Sequence, residues 1–211
     1  MNNHAVQLTI LSMLFLVIKL VSSFWFYQIF HFNLLGYSLQ VAGSAFINVA
    51  AFVILDFISQ QYGKNLARTI FLIGVICDGI FSGSIYFIGN LNHMPLNSYE
   101  LANHALLQNL GDKLFLLYLN GLLASIVVYF IELFLFNYLL TKIQSFAIAS
   151  FIAICIVKSI HTIIVVYFTL QNQENMYSIM IGNMISNTLF SIIYIFIISC
   201  YSRLTNNHSL L

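Results

Sequence analysis

The stretch Asp56-Phe57-Ile58-Ser59-Gln60-Gln61-Tyr62-Gly63-Lys64-Asn65-Leu66-Ala67-Arg68 decides how this chain is arranged. It ends one long apolar run with an acidic residue still inside that run, makes a short basic turn, and leads into the next apolar run. An acidic side chain is costly in lipid and therefore usually faces a cavity or a partner. Basic residues in a short turn give an orientation signal. The stretch thus predicts two consecutive membrane spans, the first of which carries a buried acid.

The composition of the whole chain supports a membrane protein. Of its 211 residues, 61% are hydrophobic and 6% are charged, and the mean hydropathy is +0.94. Soluble domains carry about 25% charged residues, so this chain cannot cover its surface with polar groups. The apolar runs are long and do not alternate, which favours helices over the strands of a barrel. We therefore predict an all-α polytopic membrane protein, a single domain over residues 1–211 with six transmembrane helices at about 6–30, 38–61, 69–89, 114–141, 145–170 and 177–201.

Several functional classes are excluded by what the sequence lacks. The net charge is +1 and no cluster of lysine and arginine exists to hold phosphates, so we expect no nucleic acid partner. The three cysteines are odd in number and form no C-x-x-C motif, which argues against a disulfide framework and a zinc site. No metalloprotease, nucleophile-elbow or phosphate-loop motif occurs. We therefore expect neither an enzyme nor a cofactor.

Two local patterns add detail to the six spans. The third connection, Gly89 to Lys113, is long and polar, and its second half from Tyr99 to Leu110 predicts a short amphipathic helix at the membrane surface. Gly79 and Gly83 lie four residues apart in the third span. Small residues at this spacing predict a close contact between two helices.

The basic residues at the ends of the spans indicate the orientation. Lys64 and Arg68 fall in the second turn, Lys142 in the fourth, and Arg203 after the sixth span, whereas the third turn contains only Lys113. Basic turns usually stay in the cytoplasm. Because the basic turns all fall on the side of the two termini, we predict that both termini are cytoplasmic.

Charged residues inside the spans are the main candidates for a functional site. Residues three or four apart share a helix face, so Lys158 and His161 form one polar face and Asn183 and Asn187 form another. Such residues either bind a polar ligand or serve as ion pairs and hydrogen bonds between helices, and the sequence leaves both interpretations open. The charged residues that the predicted spans contain are Lys19, Asp56, Asp78, Glu132 and Lys158.

The opening stretch resembles the signature of the VUT family, the bacterial queuosine precursor transporters. The matching residues, at the family's spacing, are Asp56, Tyr62, Gly63, Ala67 and Arg68. The chain length, the six spans and the long third connection agree with that family as well. The chain departs from the family pattern in the last two spans, where its residues are His161 and Asn187 instead of an aspartate and a lysine.

The resemblance implies an inner-membrane transporter that takes up a small planar precursor of the 7-deazaguanine type. Its expected partners are this small molecule and the lipid bilayer, and a homo-oligomer is left open. Asp56 would accept from substrate N–H groups or take a coupling proton. Lys158 or His161 would hold a carbonyl group, and Asn187 would supply amide contacts. The expected substrate-binding residues lie near the middle of the membrane and are Asp56, Gln60, Glu132, Lys158, His161 and Asn187.

Two other functions remain open at this point. Vitamin-binding S-components of energy-coupling complexes are also six-helix proteins of about this size, and they work with an attached ATPase. A structural membrane protein without a substrate would carry similar polar residues as helix contacts.

The orientation can be tested with reporter fusions. A fluorescent protein fused after Arg203 or inserted near Lys64 should fluoresce, because both sites are predicted to be cytoplasmic. Alkaline phosphatase inserted near Asn97 should be active, since that connection is predicted to lie outside. The reverse pattern at all three sites would show that the chain is inserted the other way round.

Overall fold

The computed structural model describes residues 3–34, 37–91, 97–171 and 175–207. Within those ranges the chain forms six α-helices and one antiparallel sheet of two strands. Each helix contains a segment long and apolar enough to cross a membrane, which confirms the predicted all-helical polytopic fold. In chain order the elements are α1 (Asn3–Trp25), β1 (Ile29–Leu34), β2 (Tyr37–Ala42), α2 (Ser44–Tyr62), α3 (Lys64–Gly89), α4 (Ser98–Ile143), α5 (Phe146–Leu170) and α6 (Met176–Asn207).

Helix α2 is the centre of the bundle. It contacts each of the five other helices, and every residue from Val49 to Ser59 is buried. A helix that is hydrophobic around its whole circumference belongs in such a position, because none of its faces needs to meet water. Asp56 lies within this buried run, so its carboxyl can only find partners inside the protein.

The turn between α2 and α3 is a single residue, Gly63. Its φ of 94° is a backbone conformation that residues with a Cβ rarely adopt. The Gly63 N–H donates to the carbonyl of Ser59 at 3.1 Å and closes α2, and α3 begins at the next residue. The Tyr62 hydroxyl lies 3.0 Å from Oε1 of Gln7 in α1. The Tyr-Gly pair of the opening stretch therefore reverses the chain and ties the turn to α1.

The connection between α1 and α2 contains a β-hairpin that the sequence analysis did not predict. The predicted boundaries of the first two spans were therefore wrong on this side, since α1 ends at Trp25 and α2 begins at Ser44. The physical reason is the period of the sequence pattern, which changes here from that of a helix to that of a strand. The polar residues that alternate with apolar ones along the two strands are His31, Asn33, Ser38 and Gln40.

The hairpin packs against the first half of α6. The backbone N–H of Ala42 donates to Oδ1 of Asn183 at 2.8 Å, and the Ser178 hydroxyl donates to the carbonyl of Ser38 at 3.3 Å. Gly182 lies directly against β2, where a Cβ would come within 2.1 Å of the carbonyl oxygen of Gln40. The close approach of helix and strand therefore depends on the missing side chain of Gly182.

Helix α4 is much longer than the predicted fourth span. Its 46 residues extend roughly 69 Å at 1.5 Å per residue, about twice the thickness of a hydrocarbon core. The helix predicted over Tyr99 to Leu110 is present, but it is not a short helix of its own, because these residues form the first turns of α4. A capping box begins the helix: the Asn97 side chain accepts from the Glu100 N–H at 2.9 Å, and the Glu100 carboxyl accepts from the Asn97 N–H at 3.2 Å.

The predicted close packing of α3 is present at Gly79. A Cβ on this residue would lie 2.6 Å from the Tyr118 hydroxyl oxygen of α4. At Gly83 a Cβ would meet no atom within 4 Å, so this glycine makes no close contact. The two glycines of the pair therefore have different surroundings.

Replacing Gly182 with alanine should destabilise the protein, whereas the same change at Gly83 should stabilise it. Alanine is favoured over glycine in a helix by about 1 kcal/mol, and Gly83 has room for the methyl group. At Gly182 the methyl group meets the β2 backbone, so we expect a net loss of about 1–3 kcal/mol. Thermal unfolding of both variants in detergent measures the difference. A higher melting temperature for both variants would contradict the docking of the hairpin on α6.

Candidate functional site

A cavity opens inside the bundle beside the hairpin end of α2. It contains about 780 Å³ of space that no atom fills, part of which is open to the exterior. Every helix contributes to its lining. The polar residues of the lining include Lys19, Ser23, Asp78, Ser82, Ser125, Lys158, His161, Thr162, Asn183 and Asn187.

An ion pair between α1 and α3 lines one side of the cavity. Lys19 Nζ lies 3.5 Å from Oδ2 of Asp78, and both side chains are largely buried. The Ser23 hydroxyl, one helical turn after Lys19, donates to Oδ1 of Asp78 at 2.9 Å. Of the charged residues inside the spans, the structure therefore pairs Asp78 with Lys19.

Lys158 of α5 also lines the cavity and is 2% exposed. Its ammonium nitrogen lies 4.7 Å from the centre of the Phe52 ring, in the geometry of a cation–π contact. It makes no ion pair with the acidic residues of the described ranges. His161 lies one turn further along α5, with Nε2 3.4 Å from the Ser125 hydroxyl. A buried ammonium group beside a cavity is thus available to a ligand.

Asn187 of α6 completes this side of the cavity. Its Nδ2 donates to Oγ1 of Thr162 at 3.1 Å, which fixes the orientation of the amide. Its Oδ1 is buried and has no hydrogen-bond partner among the described residues, and the same holds for the Ser82 hydroxyl. Buried polar atoms are nearly always paired, so a free acceptor beside a cavity fits a ligand that carries N–H groups.

A second polar cluster, which we call the carboxyl pair, consists of Asp56 and Glu132. The two residues are 1% and 0% exposed and interact electrostatically with each other. The Ser150 hydroxyl donates to Oδ2 of Asp56 at 2.5 Å. The Asp56 and Glu132 carboxyls lie within hydrogen-bonding reach of each other. Within the described part of the chain, no other group donates to Glu132 or pairs with the buried hydroxyl of Tyr129. The carboxyl pair does not belong to the lining of the cavity.

The six expected substrate-binding residues therefore fall in three places. Three of them line the cavity, namely Lys158, His161 and Asn187. Asp56 and Glu132 form the carboxyl pair, and Gln60 is exposed near the end of α2. Whether any of these residues binds substrate remains a prediction.

Sequence reasoning left two charged residues of the cavity out of the expected site, Lys19 and Asp78. The available signal was their location inside apolar runs. The four-residue spacing of Lys19 and Ser23 also puts both on one face of α1. The sequence does not show that α1 packs against α3. This contact brings the Lys19 face of α1 to Asp78. Asn183 was expected in a polar stripe with Asn187, and in the structure it also accepts from the end of β2.

Comparison with known proteins identifies one match. Residues 42–201 fit a family model described as "Putative vitamin uptake transporter". The matched region includes α2 to α5 entirely, most of α6, and the cavity residues that these helices contribute. Comparisons with curated proteins and with solved structures give no match.

The Lys19–Asp78 pair can be tested by removing one or both charges. Lys19→Met and Asp78→Asn should each lower the free energy of unfolding, by up to about 3 kcal/mol, because each leaves a largely buried group without its partner. The double variant should recover part of that loss. Thermal unfolding in detergent measures this, with Lys142→Met at the exposed end of α4 as the matched control. Additive losses in the double variant would argue against an energetically coupled pair.

Proposed function

The chain belongs to the family of putative vitamin uptake transporters, and we propose that it takes up a queuosine precursor of the 7-deazaguanine type. Transport would occur across the bacterial inner membrane, with both termini in the cytoplasm. The observation that carries the proposal is the cavity, which lies within the six-helix bundle and combines a buried ammonium group with a free amide oxygen.

The hydrogen-bonding groups of the cavity complement those of a 7-deazaguanine ring. Such a ring presents a carbonyl oxygen on one edge and N–H donors from the ring and the exocyclic amine beside it. The Lys158 ammonium group would donate to the carbonyl, and Oδ1 of Asn187 would accept from an N–H group. Pairing these groups with substrate would satisfy the atoms that lack a partner among the described residues.

The aromatic lining of the cavity also suits a planar bicyclic molecule. Phe26 and Tyr118 both contribute to the lining. Aromatic side chains pack well against the face of a planar ring, and the polar groups then read its edge. The Lys19–Asp78 pair adds no net charge to the lining, so Lys158 is the charged group that a substrate would meet.

The proposed substrate is tested by expressing the protein in a strain that requires a queuosine precursor and lacks its own transporter. Growth with the 7-deazaguanine precursor should restore queuosine in the tRNA, and an empty vector should not. The decisive result is the amount of queuosine in purified tRNA. Protein present in the membrane without queuosine in the tRNA would reject this substrate.

The description of the family favours a vitamin as the second candidate substrate. A vitamin-binding component of an energy-coupling complex would use the same kind of cavity but would depend on an ATPase partner. Competition separates the two candidates: unlabelled vitamins should leave precursor uptake unchanged if the precursor is the substrate. Purification with a stoichiometric ATPase, together with inhibition by one vitamin, would support the second candidate instead.

Lys158→Met should abolish most transport while leaving the protein folded. Methionine can keep a contact with the Phe52 ring, and it removes the ammonium group with its charge and its donors. Losing a charged hydrogen bond of about 1.5–3 kcal/mol should lower the affinity for substrate by roughly 10- to 100-fold. The measurements are uptake and the folded amount by gel filtration. A reduced folded amount with normal uptake per molecule would assign Lys158 a structural role.

Asn187→Ala should weaken substrate binding by about 5- to 10-fold, because one neutral hydrogen bond is worth about 1 kcal/mol. Asn65→Ala, on the exposed first turn of α3, is the matched control and should bind normally. Equilibrium binding of labelled precursor to both purified variants makes the comparison. Equal affinities would remove Asn187 from the substrate site.

A further inference from the structure

The carboxyl pair is a buried site with more acceptors than donors. Asp56 receives one hydrogen bond from Ser150 and faces the Glu132 carboxyl, which receives no hydrogen bond from any other group of the described residues. Two ionised carboxyls in contact would repel each other in a region from which water is excluded. One added proton removes a negative charge and supplies the donor that the cluster lacks.

The Tyr129 hydroxyl is an independent indication that this place binds something. Tyr129 is 0% exposed, its ring stacks on Phe71 with centroids 3.8 Å apart, and its hydroxyl has no partner within the described ranges. It interacts electrostatically with both members of the carboxyl pair. A hydroxyl can donate or accept, so it suits a site whose protonation changes.

The charged and titratable groups around the pair come from α1, α3, α4 and α5. Arg68 of α3 interacts with Tyr129 and lies over the Phe130 ring at 4.8 Å. Lys158 of α5 interacts with Glu132, and it interacts in turn with Lys19 of α1 and with His161. Arg68 and Lys158 are therefore the cations nearest to the pair in this network, and Lys158 also lines the cavity.

We propose that Asp56 and Glu132 bind the proton that drives uptake, at a site separate from the substrate cavity. A carboxylate of the pair takes the proton on its oxygen to become a carboxylic acid, which then donates a hydrogen bond to the other carboxyl. Ser150 holds Asp56 in place, and the Tyr129 hydroxyl, one turn before Glu132 on α4, would be free to follow the change in protonation.

Lys158 connects proton binding to substrate binding. When the pair carries its full negative charge, the ammonium group is attracted towards Glu132. When the pair is protonated, that attraction weakens and Lys158 becomes available to the substrate carbonyl. Each event then favours the other, as reciprocal coupling requires, and the two ligands travel together. This coupling rests on the proposed transport function, whereas the proton site itself can be tested without any substrate.

The direct test is infrared spectroscopy of the full-length protein in lipid vesicles at neutral pH, where a protonated carboxyl absorbs separately from a carboxylate. We expect a protonated-carboxyl band in the native protein and its loss in the double variant Asp56→Asn and Glu132→Gln. Asp112→Asn, an exposed carboxyl on the same helix as Glu132, is the matched control and should keep the band.

A second variant keeps the test decisive if the double variant does not fold. Ser150→Ala retains both carboxyls and removes the hydrogen bond to Asp56, so the band should shift in frequency. The absence of a protonated-carboxyl band in the native protein would overturn the proposal. So would a band in the double variant and in Ser150→Ala that is identical to the native one. Stabilisation by sodium chloride but not by choline chloride, with no band, would also overturn it in favour of a sodium site.

Transport in vesicles tests the coupling separately. With an alkaline interior, the native protein should accumulate the 7-deazaguanine precursor above its external concentration, and the double variant should only equilibrate it. Equal accumulation by both proteins would overturn the coupling. Failure of both proteins to take up the precursor would count against the proposed substrate, and the infrared band would still decide the proton site.

Discussion

The enclosure of α2 by the five other helices is the constraint on which the rest of the structure depends. A helix without a lipid face can carry an acid at Asp56, because the cost of burying it is met by protein groups rather than by lipid. Short connections lead into and out of α2. The hairpin docked on α6 begins the helix, and the Gly63 turn ends it.

This arrangement separates two polar regions along the bundle. The cavity lies towards the hairpin and contains one closed ion pair, Lys19–Asp78, and one available cation, Lys158. The carboxyl pair lies outside the cavity lining, with Asp56 and Glu132 from α2 and α4. Lys158 interacts with Glu132 and lines the cavity, so it belongs to both regions. Protonation of the pair and occupation of the cavity would therefore act on the same side chain.

The helical fold was predictable because lipid imposes a long apolar run on every span, and the turn at Gly63 followed from its basic residues. The hairpin was missed since its apolar residues extend the flanking runs, although the alternation through His31 and Asn33 was visible. For the site, helical spacing placed Lys158 and His161 on one face. Helical spacing does not predict contacts between different helices. Nothing in the local sequence indicates that Lys19 meets Asp78, or that Asp56 meets Glu132, because these contacts depend on how the helices are arranged.

In the proposed mechanism, the cavity holds the transported molecule between Lys158 and Asn187. The most direct measurement is an experimental structure of the full-length protein in lipid, determined with the 7-deazaguanine precursor present. We expect density for a planar ring in the cavity, with its carbonyl within hydrogen-bonding distance of Lys158 Nζ and an N–H facing Oδ1 of Asn187. Ring density against the carboxyl pair, or an unchanged cavity at saturating precursor, would contradict it.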